Sequence, residues 1–295
     1  MGNYVLLLLS ALHAMVPITL TAVGEVIGET AGLFNIGLEG ILLINAFVGT
    51  LVANVWGPWW GLAAGLAVGA VIGVVFALIS TYGKGNQMIA GIGINLFALG
   101  FVAFGLIMLG VPGFRPVVPE GRLPLIRTAA GGLSPLVFLA LVLPCLAFLF
   151  LHRTKAGLIL KAVGENPEAA DVAGISVNVV RLLATTFGAA LAGLAGAYIS
   201  ISWIGSVTKE VSAGRGFIAL ATVVFSGLNP LLVLLGGFLF GFFDSLATWM
   251  SNLPGLVRYA YFVYMIPYGV TLLVVTGLIG RVRFPKALGT PYTRE

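Results

Sequence analysis

Asn35 and Glu39 lie four residues apart at the start of an apolar run, so on a helix they share one face. Gln87, Gly91 and Asn95 repeat that spacing in another run, and Gly241, Asp244 and Thr248 form a small, polar stripe in a third. Polar groups set among apolar residues either hydrogen-bond across helices or face a solute path. Both readings stay open for each set. Asp244 has the further choice of an ion pair, with Arg258 or Arg215, or a gate. Together these groups offer sparse donors and acceptors without strong charge of either sign. That suits a neutral polar solute such as a nucleoside, and also a sugar, riboflavin or a nucleobase.

A different chemistry is written into GENPEAADVAGISVNVVR, residues 164–181. Asn166 is a good N-cap, Pro167 suits the first helical position, and Glu168 lies by the positive end of the helix dipole. Gly174 suits the residue just past the end. About seven residues lie between, with Ala169, Ala170, Val172 and Ala173 as the apolar content. Isolated helices shorter than about 12 residues are marginal in water, so this one needs a partner surface. The partner is either the protein's own helices or a soluble subunit.

The elements that must carry these groups are membrane spans. Of 295 residues, 59% are hydrophobic and 8% charged, against roughly 25% charged in a soluble domain. Apolar stretches at 4–23, 33–53, 58–80, 87–110, 134–151, 182–203, 216–228, 231–250 and 259–280 give about nine spans at roughly 20 residues each. The expected fold is an all-α polytopic membrane protein with interrupted helices, one transmembrane domain over 1–295. Its long connections are 111–133, 152–181 and the tail from 281 to 295. The net charge of +5 is scattered through loops with no basic stripe, so nucleic acid is not a partner. MGNYVLLLLSALHAMVPITL lacks a basic n-region and has Leu at residue 6, so it reads as a first span and neither a leader nor a myristoylation signal.

Placing 152–181 and the tail in the cytoplasm puts the N-terminus outside. Lys84, Arg153, Lys155, Lys161, Arg181, Arg281, Arg283, Lys286 and Arg294 then lie inside, against Arg115, Arg122, Arg127, Lys209, Arg215 and Arg258 outside. All five tryptophans, Trp56, Trp59, Trp60, Trp203 and Trp249, fall at the outer interface. Gly61, Gly65, Gly69 and Gly73 recur every fourth residue and make a side-chain-free groove for a neighbouring helix. TAGLFNIGL (30–38) and SAGRGFIAL (212–220) echo one another in oppositely directed segments, which fits an inverted repeat.

Enzymatic chemistry finds little footing. The two histidines, His13 and His152, are far apart, and the single cysteine, Cys145, sits in an apolar run. No catalytic or metal site is expected; His13 and Cys145 read as packing, and Glu25 and Glu29 as a solvated face near the cytoplasmic boundary. Lys84 in TYGKGN is followed by Gly and lacks the upstream Gly of a phosphate-binding loop. Energy must come from a partner or an ion gradient. A secondary transporter would bind Na⁺ or H⁺ through Asp244 and Glu39, and it has no need of a capped docking helix.

GENPEAADVAGI resembles the cytoplasmic coupling helix of ABC importer permeases, the group serving ribose, branched-chain amino acids and nucleosides. GLFNIGLEGILLINAF (32–47), NQMIAGIGINLFALG (86–100) and GRGFIALATVVFSGLNPLLVLLGGFLFGFFDSL (214–246) are most similar to the nucleoside branch, as are MIPYGVTLLVV and RFPKALGTPY. The resemblance implies that Gly164, Glu165, Asn166, Pro167, Glu168, Ala169, Ala170 and Gly174 couple to a cytoplasmic ATPase, which holds ATP and Mg²⁺; this chain carries no cofactor. It also implies a second, related permease in a heterodimer and an external substrate-binding lipoprotein. The site would be a bacterial cytoplasmic (inner) membrane, with Asn35, Glu39, Gln87, Asn95 and Asp244 along the substrate path.

Overall fold

Residues 3–111, 113–128, 131–253, 255–278 and 283–293 are described by the computed structural model. Seven helices among them are long and apolar enough to cross a membrane. These are α1 (Asn3–Thr30), α2 (Leu38–Trp56), α3 (Pro58–Ala77, extended by a π turn to Tyr82), α4 (Gln87–Met108), α5 (Pro135–Arg153), α8 (Val177–Tyr198, extended by a π turn to Ile204) and α10 (Pro230–Ser251). Between α5 and α8 run α6 (Lys155–Glu165) and α7 (Pro167–Val172); α9 (Arg215–Ser226), α11 (Ala260–Val263) and α12 (Ile266–Leu278) follow later.

Among the described residues, two of the nine expected spans do not form a single helix of crossing length. The 216–228 run becomes α9, 12 residues long, bounded by left-handed residues at both ends: Gly214 (φ 74°) before it, Gly227 (φ 56°) and Leu228 (φ 63°) after it. The 259–280 run is split into a 3₁₀ turn, α11 and α12, and its residues 279–280 lie outside those described.

The all-α bundle carries short extended segments at one end. The 111–133 connection forms two short ribbons. β1 (Phe114–Pro116) pairs antiparallel with β4 (Ser206–Thr208), and β2 (Ile126–Thr128) pairs with β3 (Gly131–Leu133). Extended backbone with unmade hydrogen bonds is costly near a membrane, and pairing satisfies it. The start of α1 lies at this end, where His13 Nε2 is 3.3 Å from the Gly132 carbonyl and its Nδ1 is 2.9 Å from the Tyr198 hydroxyl. The end of α1, α7 and the tail residues 283–293 lie at the opposite end.

α8 is the axis of the bundle because small residues let three helices reach its backbone. A β-carbon on Gly188 would lie 2.6 Å from the Gly24 carbonyl oxygen of α1. Gly196 presses in the same way on Leu42 of α2, and Gly193 on Gly65 and Gly69 of α3. The glycine stripe of α3 is thus filled as its spacing demands. Gly61 meets Gly49 and Ala53, while Gly65, Gly69 and Gly73 take Ala197, Gly193 and Ala189 of α8. Association between apolar helices in lipid rests on such close van der Waals packing.

The two echoing segments share a turn. Gly32 (φ 91°) and Gly214 (φ 74°) both take the left-handed conformation their Ala-Gly pairs allow. After Gly32 the chain stays non-helical until α2 begins at Leu38, whereas α9 begins at Arg215, directly after Gly214.

Gly69 and Gly93 offer a paired test of this packing. A β-carbon on Gly69 would lie 2.5 Å from the Ala189 carbonyl oxygen and 2.8 Å from Gly193 Cα, while one on Gly93 meets nothing within 4 Å. Gly69→Leu is expected to cost about 3 kcal/mol or more. Gly93→Ala should leave stability equal or raise it by up to about 1 kcal/mol. Melting in detergent, followed by size-exclusion fluorescence, measures both.

Candidate functional site

Two helix starts face each other inside the bundle. The chain leaves α1 at Thr30, crosses residues 31–37 without helix, and begins α2 at Leu38. From the opposite end it descends past β4 and begins α9 at Arg215. The two starts meet at one carboxylate: the Gly214 and Gly216 amides donate to Oε1 and Oε2 of Glu39, at 2.8 and 2.7 Å. Glu39 is in the first turn of α2, so one anion sits at the positive ends of two helices. Gly216 has no room for a side chain, since a β-carbon there would overlap the Glu39 backbone.

Backbone that is not helical needs other partners wherever water is absent. The amides of Phe34, Asn35 and Gly37 find theirs in side chains. Phe34 donates to Gln87 Oε1 (2.8 Å), Asn35 to Glu25 Oε1 (2.7 Å) and Gly37 to Asn35 Oδ1 (2.8 Å). Gly40, in the first turn of α2, donates to Asn95 Oδ1 (2.7 Å), and Asn95 Nδ2 donates back to the Ile36 carbonyl (3.0 Å). Gly91 lies between Gln87 and Asn95 because α4 must touch this backbone: a β-carbon there would be 2.8 Å from the Gly37 nitrogen. Asn35, Gln87 and Asn95 thus stitch α4 to the interruption, with Glu25 closing it from α1.

Beside the helix starts lies a second cluster. The Asp244 carboxylate pairs with Arg215, Oδ2 to Nη2 at 3.1 Å, with both side chains largely covered. Of the two arginines the sequence offers it, Arg215 is the partner. Arg215 Nη1 also donates to the Val211 and Ser212 carbonyls (3.2 and 3.4 Å). Its guanidinium lies over the Trp203 ring, 4.4 Å from the centroid. Trp203 is therefore part of this cluster, unlike the exposed Trp56, Trp59 and Trp60. The Tyr268 hydroxyl donates to the carbonyl of Ala213 (2.7 Å), a residue in the left-handed region (φ 45°). Thr248, next on the Asp244 stripe, turns its hydroxyl back to the Asp244 carbonyl (2.9 Å).

The short polar helix forms where its punctuation places it. Asn166 caps α7 by accepting from the Ala169 amide (3.0 Å), Pro167 is its first residue, and Gly174 (φ 83°) follows its end. Glu165, Asn166, Glu168, Ala169, Val172 and Ala173 are exposed, Val172 to 91%. Ala170 points the other way and packs with Val163 and Val177, with Tyr292 of the tail against them. Gly164 is also buried, pressed against the Thr30 carbonyl at the end of α1 and Pro285 of the tail. Ala170 and Gly164 seat the helix, and Glu168 with its exposed neighbours faces outward.

Several functional groups escape sequence reasoning. Glu25 and Glu29 are 3% and 1% exposed, so they are no solvated face. Their four-residue spacing was the available signal. Cys145 faces outward on α5, not into a core. Arg181, fully buried at the foot of α8, carries no mark beyond being a charge next to an apolar run.

Crossing helices thus surround two helix starts that meet inside the bundle, and a capped helix turns outward at one end. A family model described as a branched-chain amino acid transport system, permease component, matches residues 7–275, and the chain belongs to this family. It is a transport subunit of the cytoplasmic membrane rather than an ATPase. The guanosine ABC transporter permease protein NupQ of Bacillus subtilis is 33% identical over 94% of this chain and 93% of its own length. The nucleoside ABC transporter permease protein NupC of Lactococcus lactis is 30% identical over 95% and 94%. A putative glucose ABC transporter permease protein, TsgC13 of Haloferax volcanii, is 36% identical over 81% and 76%. No solved structure matches the chain.

The Glu39 junction predicts a graded loss. Glu39→Ala strands two helix-start amides and is expected to cost about 3 kcal/mol, while Glu39→Gln keeps one acceptor and costs about half as much. Melting of the purified protein in detergent orders the three; equal stability of all of them would contradict the junction.

Proposed function

We propose that this chain is one permease half of an ATP-driven importer of nucleosides, with α7 and the tail in the cytoplasm and the β ribbons outside. The observation that carries the reading is the two-sided build of α7. Ala170 and Gly164 anchor it to the end of α1, while Glu168, Ala169 and Val172 stand free of the protein's own helices. An apolar residue as exposed as Val172 on a six-residue helix fits a surface completed by another subunit. An ATPase subunit docks there, and an external binding protein delivers solute to the ribbon end.

Closure of the ATPase pair moves α7, and the interruption at 31–37 with the α9 start is the element that yields. The two relatives that span the chain nearly end to end are named for guanosine and for nucleosides, which favours that substrate class. The face formed by α10 to α12 fits it: Thr248 and Asn252 are exposed beside Tyr261, Tyr264 and Tyr268. Aromatic rings with hydroxyls nearby suit a base and a ribose. This face meets the second permease, and the solute passes along the seam. Sugar transport is the second reading, favoured by the glucose relative. Ion coupling is not favoured, because the Asp244 and Glu39 carboxylates are occupied by Arg215 and by two backbone amides.

The test is uptake into proteoliposomes holding the permease pair, the ATPase and ATP, with the binding protein outside. Labelled guanosine should enter only with ATP, and unlabelled nucleosides should compete where glucose does not. Glu168→Arg is expected to strip the ATPase from the purified complex and to lower uptake by about tenfold or more. Competition by glucose alone would shift the substrate to sugars. Uptake driven by a Na⁺ or proton gradient without ATP would overturn the proposal.

A further inference from the structure

Arg181 is the largest fully buried side chain in the described protein. A buried charge is tolerated only when its hydrogen-bonding capacity is filled. No carboxylate pairs with it among the described residues. Its donors go to three backbone carbonyls in two separate segments instead. Nε donates to Ala31 (3.1 Å), at the first step of the interruption between α1 and α2. Nη1 donates to Thr290 (3.0 Å) and Nη2 to Ala287 (3.4 Å), both in the tail.

The tail is gripped along its length. The Ala287 amide donates to the Gly164 carbonyl (3.0 Å) and the Gly289 amide to the Gly32 carbonyl (3.2 Å). The Tyr292 hydroxyl donates to Asp171 Oδ2 of α7 (3.0 Å), and its ring rests on the Val163, Ala170 and Val177 cluster. Lys286 lies 3.5 Å from Glu165, an exposed pair of small energetic weight. One ten-residue strap thus touches the docking helix on one side and the interruption on the other.

A polar cleft of about 280 Å³ opens between strap and α7, walled by Glu165, Asn166 and Glu168 on one side and Lys286, Thr290 and Tyr292 on the other. Glu168 has no ion-pair partner among the described residues.

We propose that the tail segment 284–293 forms half of the ATPase-docking surface, and that Arg181 is the positioning residue that ties this surface to the interruption at 31–37. The cleft takes a basic side chain of the ATPase subunit, whose charge meets Glu168. When the ATPase moves α7, the strap moves with it. The guanidinium, bonded to the strap at Ala287 and Thr290, carries that displacement to Ala31 and so to the backbone that Gln87, Asn95 and Glu25 hold. A merely structural arginine would fix the fold but leave coupling untouched.

This inference rests on the ATPase-docking reading above, and the experiment separates the two. Wild type, Arg181→Gln, Arg181→Lys and a deletion of residues 286–295 are purified with the ATPase and reconstituted. Subunit stoichiometry, ATP hydrolysis and solute uptake are measured on each. Arg181→Gln should keep the ATPase at wild-type stoichiometry while solute moved per ATP falls by about tenfold. Arg181→Lys, which restores charge and part of the bonding, should lie between. The deletion should weaken ATPase retention and lower the same ratio. Arg181→Gln at the wild-type ratio would remove the positioning role. Should that variant fail to assemble, the deletion decides: full ATPase retention at the wild-type ratio would overturn the proposal. A wild type without ATP-driven uptake would instead remove the functional reading on which the inference stands.

Discussion

Peptide groups inside a membrane protein have no water to fall back on, and this constraint organises the molecule. A continuous helix meets it alone; a chain that interrupts its helices must import partners. Here the interruption at 31–37 draws on Glu25, Gln87 and Asn95, and the start of α9 draws on Glu39. These side chains sit where they do because specific amides would otherwise stand unpaired. Each such loss costs about 1–3 kcal/mol. The interruptions in turn set where α2 and α9 begin, and so place two positive helix ends around one carboxylate.

The rest of the bundle has the opposite character. Around α8, glycine and alanine bring backbone against backbone at Gly24, Leu42, Gly65 and Gly69, leaving no slack for sliding or for a larger side chain. Dispersion contacts of this kind are individually weak and collectively strong. Beside this block, two short segments are held by directed bonds as well as by close contacts at Gly37, Gly91 and Gly216. Motion concentrates in elements with few packed contacts and replaceable hydrogen bonds.

The sequence made the rigid block legible and the yielding parts only partly so. The Gly61–Gly73 spacing states its own function, since a four-residue glycine repeat on an apolar helix has little other use. The cap of α7 was readable for a similar reason: Asn-Pro-Glu and a following Gly are local signals that need no tertiary knowledge. Span lengths were less readable, because hydropathy cannot see the left-handed residues that bound α9 or the breaks between α11 and α12. Polar residues could be found but not assigned, since Gln87 accepting from Phe34 depends on which backbone passes it. Composition also misplaced Glu25 and Glu29, where the deciding fact is the direction of a side chain. Arg181 was hidden because its partners are carbonyls, which leave no trace in residue type.

Why a transporter should join its two ends by hydrogen bonds rather than packing follows from magnitudes. An exchange of one hydrogen bond for another changes free energy by about 0.5–1.5 kcal/mol, while forcing a side chain into a filled site costs about 1–3 kcal/mol or more. A linkage that must switch reversibly under a subunit driven by nucleotide belongs to the first kind. From the exposed face of α7, such bonds run through the tail to Arg181, from Arg181 to Ala31, and along the interruption to Gly40 and Asn95. Glu39, one residue before Gly40, then meets Gly214 and Gly216, beside the Arg215–Asp244 pair. The links between separate segments in that sequence are polar bonds to a carbonyl, an amide or a carboxylate, and each can reform with a shifted partner. The glycine-tight contacts of α8 have no such alternative, so in the coupling we propose a push at α7 travels through these polar links.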